Sequence, residues 1–169
     1  MKKGLFFIHA FFILVFLNGC FFANIFDFGP KIDLGKNQWE IVSFTLGDKQ
    51  YKPSDYEQVP SMRFDTTELK LYGNTGCNAF FASYVWINDQ KIEMRNSGMT
   101  RKMCQSKESM QFEQKLMEEF DGEFEVVEEE HGLIIKKEGL KIVLLSADWM
   151  EKLRDAEKNQ QDVQSPASQ

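Results

Sequence analysis

The chain has 169 residues, with 26 acidic side chains against 20 basic ones and a formal net charge of −6. This acidic balance disfavours nucleic-acid binding, which depends on lysine and arginine to neutralise phosphates. Once the N-terminal segment is set aside, the length allows one domain with one modest core.

The N-terminus has the pattern of a cleaved lipoprotein leader. Lys2 and Lys3 precede an apolar run that contains no acidic residue and is shorter than the ~20 residues needed to cross a bilayer core. The run ends in leucine, asparagine, glycine and Cys20, which resembles a bacterial lipobox. We therefore predict a signal peptide over residues 1–19 and lipidation, of which palmitate is one component, at Cys20. The alternative is an ordinary secretory signal or an uncleaved anchor in which Cys20 is incidental.

Lipidation would decide where the protein works. Two or more acyl chains hold a protein on a membrane stably, so the predicted location is the bacterial cell envelope. Phe21 stands where an aspartate would act as an inner-membrane retention signal, which favours the outer membrane, facing the periplasm, over the inner one. The predicted partners are the membrane, through the N-terminal lipid, and an unidentified envelope protein or lipid, with no nucleic acid. Residues 20–36 are predicted to be a lipidated tether.

Residues 37–147 are predicted to form one α+β domain with an antiparallel sheet. Apolar and polar residues alternate from Trp39 to Phe44 as in a half-buried strand. Similar strand signals recur at short spacing over Met62–Phe64, Leu69–Tyr72, Ala82–Ile87, Lys91–Met94, Glu123–Glu128, Leu133–Lys137 and Leu140–Leu145. Tight turns are predicted at Asn88-Asp89, His131-Gly132 and Glu138-Gly139.

One amphipathic helix is predicted from Ser106 onwards. Phe112, Leu116 and Phe120 lie four residues apart and form its apolar stripe, which Met110 and Met117 widen. Its solvent face is predicted to carry Lys107, Glu108, Glu113 and Glu118.

Residues 148–169 are predicted to form a short second helix and a disordered tail. Asp148 and Glu151 resemble a capping box at the start of that helix. Residues 158–169 are polar and lack an apolar face, which predicts disorder.

Cys77 and Cys104 both lie in the exported part, where disulfides persist. We predict that they are bonded to each other, which would restrict the unfolded chain by roughly 3 to 4 kcal/mol. The alternative is a redox-active or metal-binding pair. Against it, the chain has no C-x-x-C motif, and His131 is the only histidine outside the leader. No metal and no cofactor are predicted.

The sequence contains no recognisable catalytic constellation. Acidic residues crowd positions 118–130, but Glu123 and Glu125 alternate with apolar residues like the solvated face of a strand, and no calcium-loop pattern is present. His131 beside Gly132 is typical of a hairpin turn. Neither a nucleophile elbow nor a phosphate-binding glycine loop occurs, so the chain is predicted not to be an enzyme.

Two segments, residues 73–80 with Cys77 at their centre and residues 99–104 ending in Cys104, together resemble the META/HslJ family of small envelope domains. The resemblance extends over residues 37–145, with Ala82 at a position where the family commonly has glycine. It implies a strongly curved or partly barrel-like sheet packed against one main helix. It also implies a frequent lipoprotein context, links to stress or secretion, and no established catalytic activity.

A candidate binding corner follows from the glycine-rich segment. If Cys77 and Cys104 are joined, Thr100, Arg101 and Lys102 lie beside the turn that contains Asn78, and the group can receive an anion. The alternative is that Asn78 and Thr100 only stabilise the turn while Arg101 and Lys102 are solvated.

The sequence is compatible with two functions. In the first, the protein is a non-catalytic envelope module that supports stress or secretion pathways by binding a partner between helix and sheet. In the second, it is a thiol-redox switch or repair protein that uses Cys77 and Cys104.

The lipobox generates a direct prediction. Cys20→Ser should abolish acylation and cleavage at this site, because serine has no thiol to accept the lipid. Metabolic labelling with a radioactive or clickable palmitate measures the effect. Equal label in the wild type and the variant would remove the basis for anchoring through Cys20.

Overall fold

The structure is a computed structural model that describes residues 32–52 and 58–164. The predicted leader, Cys20, the first part of the tether and residues 165–169 lie outside the described residues. The strands of the described part are β1 (Trp39–Leu46), β2 (Lys49–Tyr51), β3 (Ser61–Asp65), β4 (Lys70–Asn74), β5 (Ala79–Asn88), β6 (Lys91–Met99), β7 (Gly122–Glu129), β8 (Gly132–Lys137) and β9 (Leu140–Ser146). The helices are α1 (Lys107–Glu119) and α2 (Ala147–Gln164), preceded by a 3₁₀ turn at Leu34–Lys36.

The strands form a closed antiparallel barrel. Strands β3 to β9 pair in chain order, and β1 closes the ring by pairing with β9 along its length and with β3 at Trp39 and Glu40. The short strand β2 pairs with the second half of β1, from Phe44 to Leu46. Closure leaves a small barrel whose interior is filled by side chains. The predicted α+β class with a barrel-like antiparallel sheet and one main helix is confirmed.

Alternation along each strand places the apolar side chains inside the barrel. Buried residues on β3 to β5, such as Phe64, Leu71 and Tyr84, alternate with exposed ones. Removal from water raises the pKa of Tyr84 to about 12, so its hydroxyl stays neutral inside the core. The barrel interior and the apolar stripe of α1 form one continuous hydrophobic cluster.

Helix α1 crosses the mouth of the barrel. At the middle of the helix, Phe112 packs on Phe44 of β1, with the ring centroids 5.0 Å apart. Just past its end, Phe120 packs on Phe80 of β5 at 5.1 Å. Since β1 and β5 lie on opposite sides of the ring, the helix reaches from wall to wall. Phe112, Leu116 and Phe120 are all buried, as the stripe predicted.

The folded domain begins before the predicted end of the tether. Ile32 and Leu34 are buried in the core, although both fall within residues 20–36. Trp39 fixes this segment, because its indole Nε1 donates to the Leu34 carbonyl at 2.9 Å. The sequence around these residues has no periodicity that would have revealed their burial.

Helix α2 is longer than predicted. It begins after Ser146, whose Oγ accepts from the Trp149 amide at 3.3 Å, so the cap is Ser146 and not Asp148. It continues to Gln164, through much of the segment predicted to be disordered, since loss of an apolar face does not end a helix that meets no glycine or proline. Arg154 anchors it to β1 through a bidentate pair with Glu40. Neither helix of the described part is long and apolar enough to span a membrane.

The position of Leu116 at the barrel mouth generates a prediction. Leu116→Ala should lower the free energy of unfolding by about 2 to 5 kcal/mol, because it leaves a cavity where helix and barrel meet. Lys115→Ala, at an exposed position on the same helix, should change it by no more than about 0.5 kcal/mol. Chemical denaturation measures both. An unchanged midpoint and slope for Leu116→Ala would show that this side chain does not hold the helix on the barrel.

Candidate functional site

The turn between β4 and β5 is a rigid corner made by residues 75–78. Gly76 has φ of +104°, which favours glycine because a side chain would clash there. Its amide donates to Asn74 Oδ1 at 2.6 Å, and the Thr75 amide donates to the Asn78 carbonyl at 2.9 Å. Thr75 and Asn78 are both buried, so the turn presents its polar groups to the protein interior.

A disulfide ties this corner to the segment that leads into α1. Cys77 and Cys104 are joined, with their Cα atoms 5.8 Å apart, and both are buried. The two segments that carry the resemblance to the META/HslJ family therefore meet at one end of the barrel, on the side where α1 begins.

The carboxylate of Glu113 fills the corner. Its Oε1 accepts from the Asn78 amide at 2.9 Å and from the Thr75 hydroxyl, and its Oε2 accepts from Asn78 Nδ2 at 2.7 Å. Glu113 is only 3% exposed. The prediction that it belongs to the solvent face of the helix is therefore wrong.

Helical geometry explains why Glu113 points inward. A step of about 100° per residue places position 113 between positions 117 and 120 around the helix axis, and therefore inside the apolar arc formed by the stripe and the widening methionines. The position of a glutamate within that apolar arc is the sequence feature that indicates a buried Glu113. The partners that satisfy this carboxylate lie in the turn between β4 and β5, so the helix sequence alone does not reveal them.

The Asn78 side chain joins three segments of the chain. Its Nδ2 donates to Glu113 on α1 and to the Lys102 carbonyl at 3.1 Å. Its Oδ1 accepts from the Thr100 hydroxyl and from the Lys102 amide, both at 2.8 Å. The amide group thus has partners on both its oxygen and its nitrogen, as a buried polar group requires.

The structure separates the members of the candidate binding corner into two groups. Asn78 and Thr100 are part of the hydrogen-bond network. The Asn78 donors that could have faced an external anion donate to Glu113, and the Thr100 hydroxyl donates to Asn78 Oδ1. Arg101 and Lys102 are exposed, and neither side chain forms an ion pair within the described ranges.

The surroundings of the disulfide do not favour thiol chemistry. Cys104 Sγ lies 3.2 Å from Glu113 Oε2. A carboxylate beside a sulfur opposes formation of the thiolate, which is the nucleophilic and metal-binding form. Cys77, Cys104 and Glu113 also form the one group of metal-ligand side chains found among the described residues, but in the disulfide the two sulfurs are bonded to each other and offer no thiolate.

A groove of about 700 Å³ lies between α1 and the end of β6, next to the corner. We call it the methionine groove, since its lining includes Met99, Met103, Met110 and Met117, together with Arg101 and Lys102. Met103 is 86% exposed. Glu113 forms part of the wall, with its carboxylate turned towards the corner.

Three further residues that were weighed for catalysis or metal binding, Glu123, Glu125 and His131, occupy positions with a structural explanation. Glu123 and Glu125 are exposed on β7 while Phe124 and Val126 are buried, as the alternation predicted. His131 lies in the turn between β7 and β8 and stacks on Trp149 of α2, with the ring centroids 3.7 Å apart.

The fold and the site define a class of protein: a small closed antiparallel barrel, covered by one helix, with a disulfide-linked polar corner under that helix. Residues 32–149 match the family model described as the META domain. The match covers more than half of the chain, and this protein therefore belongs to the META domain family. The predicted resemblance is confirmed.

Two solved structures share the fold. The NMR structure of a protein from Burkholderia xenovorans is 16% identical, with a TM-score of 0.53, over 68% of this chain and 83% of its own. A second NMR structure is also 16% identical, with a TM-score of 0.54, over 69% of this chain and 94% of its own. No curated protein gives a significant sequence match.

The Glu113 network generates a stability prediction. Glu113→Ala should lower the free energy of unfolding by about 2 to 4 kcal/mol, because it removes the acceptor of buried hydrogen bonds from the Asn78 amide, Asn78 Nδ2 and the Thr75 hydroxyl, each worth about 1–3 kcal/mol, partly offset by removal of a buried charge. Glu118→Ala, an exposed glutamate on the same helix, is the matched control and should change it by no more than about 0.5 kcal/mol. Equal effects of the two substitutions in urea denaturation would contradict the assigned role of Glu113.

Proposed function

We propose that this protein is a lipid-anchored module of the bacterial cell envelope that binds a partner in the methionine groove and catalyses no reaction. The observation that carries the proposal is the groove itself. It combines flexible, polarisable thioether side chains, which adapt to ligands of different shape, with two exposed cations that have no ion pair in the described structure.

The positions of the ionisable side chains support a non-catalytic role. Nucleophilic and acid–base catalysis require a nucleophile and a base within hydrogen-bond reach in an accessible cleft. In the groove, Glu113 has both carboxylate oxygens engaged by the corner. Arg101 and Lys102 are exposed cations, and the groove places no histidine or cysteine thiol beside them.

The envelope location rests on the sequence. Cys20 would carry the lipid, and residues 20–31 would connect it to a domain whose first buried residue is Ile32. An extended segment of that length reaches about 40 Å, enough to hold the barrel clear of the lipid headgroups. The outer membrane, with the domain in the periplasm, is the proposed site, and support of envelope stress responses or secretion is the proposed context.

The thiol-redox alternative has less support. The Cys77–Cys104 disulfide is buried, and Glu113 lies against one of its sulfurs. Both features disfavour attack by an external thiolate and release of Cys104 as a thiolate. We therefore assign the disulfide a structural role within this proposal.

Site-specific photocrosslinking in intact cells tests the proposal. A photoreactive amino acid at position 103 or 110 should give discrete adducts, since Met103 and Met110 line the groove. The same probe at Lys141, an exposed position on β9 outside the groove, is the matched control and should give none. Cys20→Ser should reduce the adducts if the anchor brings the domain to its partner.

Two results would contradict the proposal. Absence of adducts at both groove positions would mean that the groove is not occupied in the cell. Adducts of equal intensity at positions 103, 110 and 141 would mean that the probe reports random collisions.

A further inference from the structure

Strand β6 has an open edge inside the methionine groove. Its first part pairs with β7, but this pairing covers only Lys91 to Met94. From Arg95 to Met99 the described residues place no strand on that side, and α1 lies beyond the groove. An unpaired strand edge is a template for another extended chain.

The backbone of Met99 points into the groove. On the far side of β6, the Thr100 amide donates to the Ala79 carbonyl of β5 at 2.9 Å. Alternate residues of an antiparallel strand direct their backbone groups to opposite sides, so the amide and carbonyl of Met99 face away from β5. Among the described residues, β7 pairs with β6 only as far as Met94, so no strand offers a hydrogen-bond partner to either group on that side.

Ser97, two residues before Met99 on the same edge, already has a hydrogen-bond partner on this side of β6. The Ser97 amide donates to Asp121 Oδ1 at 3.1 Å, so a side chain caps the strand edge where β7 stops. A bulge at Asn96, with φ of +54°, separates Ser97 and Met99 from the part of β6 that pairs with β7. The last residues of β6 therefore form a distinct short edge that faces the groove.

Charged side chains of both signs line the groove. Arg101 and Lys102 lie at the end beyond Met99, and both are exposed without ion pairs in the described ranges. Glu118, three residues before the Asp121 that accepts from the Ser97 amide, also lines the groove. A ligand that follows the edge of β6 would thus have an anionic group beside Arg101 and Lys102 and apolar groups against the methionines.

From these observations we propose that the methionine groove binds an extended polypeptide segment, with apolar side chains and an acidic residue, as an added strand beside Met99. This inference rests on the proposed function and specifies its ligand class. Backbone hydrogen bonds to Met99 would hold any sequence, the methionines would accept varied apolar side chains, and Arg101 and Lys102 would fix the direction of the segment.

Peptide binding to the mature, lipidated protein in nanodiscs tests the inference. The probe is a short fluorescent peptide of alternating valine and threonine with two glutamates at one end. Its control has the same side chains with N-methyl groups on every internal backbone amide, so that neither edge of the peptide can add as a strand. Methylation should weaken binding roughly tenfold, since loss of about 1.4 kcal/mol corresponds to one or two backbone hydrogen bonds. Empty nanodiscs correct for binding to lipid.

Charge reversal tests the orientation. The double substitution Arg101→Glu and Lys102→Glu should weaken binding of the glutamate peptide and strengthen binding of a matched peptide that ends in lysines. Lys141→Glu, a reversal outside the groove, should alter neither. Circular dichroism of each variant confirms that the barrel is folded.

The outcomes separate this inference from the function on which it rests. Equal binding of the methylated and unmethylated peptides would overturn strand addition. Failure of both peptides, with binding of palmitate that a bulky Met110→Trp substitution blocks, would overturn the polypeptide class and leave the groove as a binding site. Absence of crosslinks at both positions 103 and 110 in cells would instead refute the groove as the functional site, whatever the peptide does in vitro.

Discussion

The structure depends on one buried carboxylate. Glu113 carries a negative charge from α1 into the corner formed by residues 75–78, where amide and hydroxyl donors receive it. Burial of a charge is costly unless hydrogen bonds compensate for it, so the corner and the helix specify each other. Neither the turn alone, with its donors directed inward, nor the helix alone, with a glutamate in its apolar arc, would satisfy its polar groups.

The groove follows from this constraint. The Cys77–Cys104 disulfide and the Asn78 side chain hold the segment between β6 and α1 against the corner. Glu113 fixes the helix at the same point, while Phe112 and Phe120 fix it across the barrel mouth. The helix therefore stands beside the end of β6 without covering it, and the space between them is lined by methionines. A rigid frame around flexible lining residues suits a site that accepts more than one ligand.

Local patterns in the sequence predicted much of the fold. Alternation identified most of the barrel strands, and the spacing of Phe112, Leu116 and Phe120 identified the covering helix. Closure through β1 and β9 could not be predicted from such patterns, because pairing between distant strands leaves no local signal. A similar reason explains why the sequence did not predict the three-residue strand β2 or the burial of Ile32 and Leu34. Both depend on contacts with distant parts of the chain, which leave no local pattern. Helix α2 was underestimated because residues 151–160 are exposed on all sides of the helix, where periodicity carries no information.

The candidate site was predicted in part. The two cysteines and the polar residues of the corner were identified, but Glu113 was not. The structure agrees with the alternative in which Asn78 and Thr100 stabilise the turn while Arg101 and Lys102 are solvated. A buried charge is recognised only when its partners are known, and these partners lie more than thirty positions earlier in the chain.

Hydrogen exchange at the Asn78 backbone amide tests the central role of the Glu113 interaction most directly. If the carboxylate locks the corner, this amide should exchange only through global unfolding and should be protected as strongly as the amides of core strand residues such as Ile135. NMR of the mature protein measures both in one experiment. Exchange of the Asn78 amide many times faster than that of Ile135, in a protein whose core remains protected, would show that the corner opens independently and that Glu113 does not organise this end of the barrel.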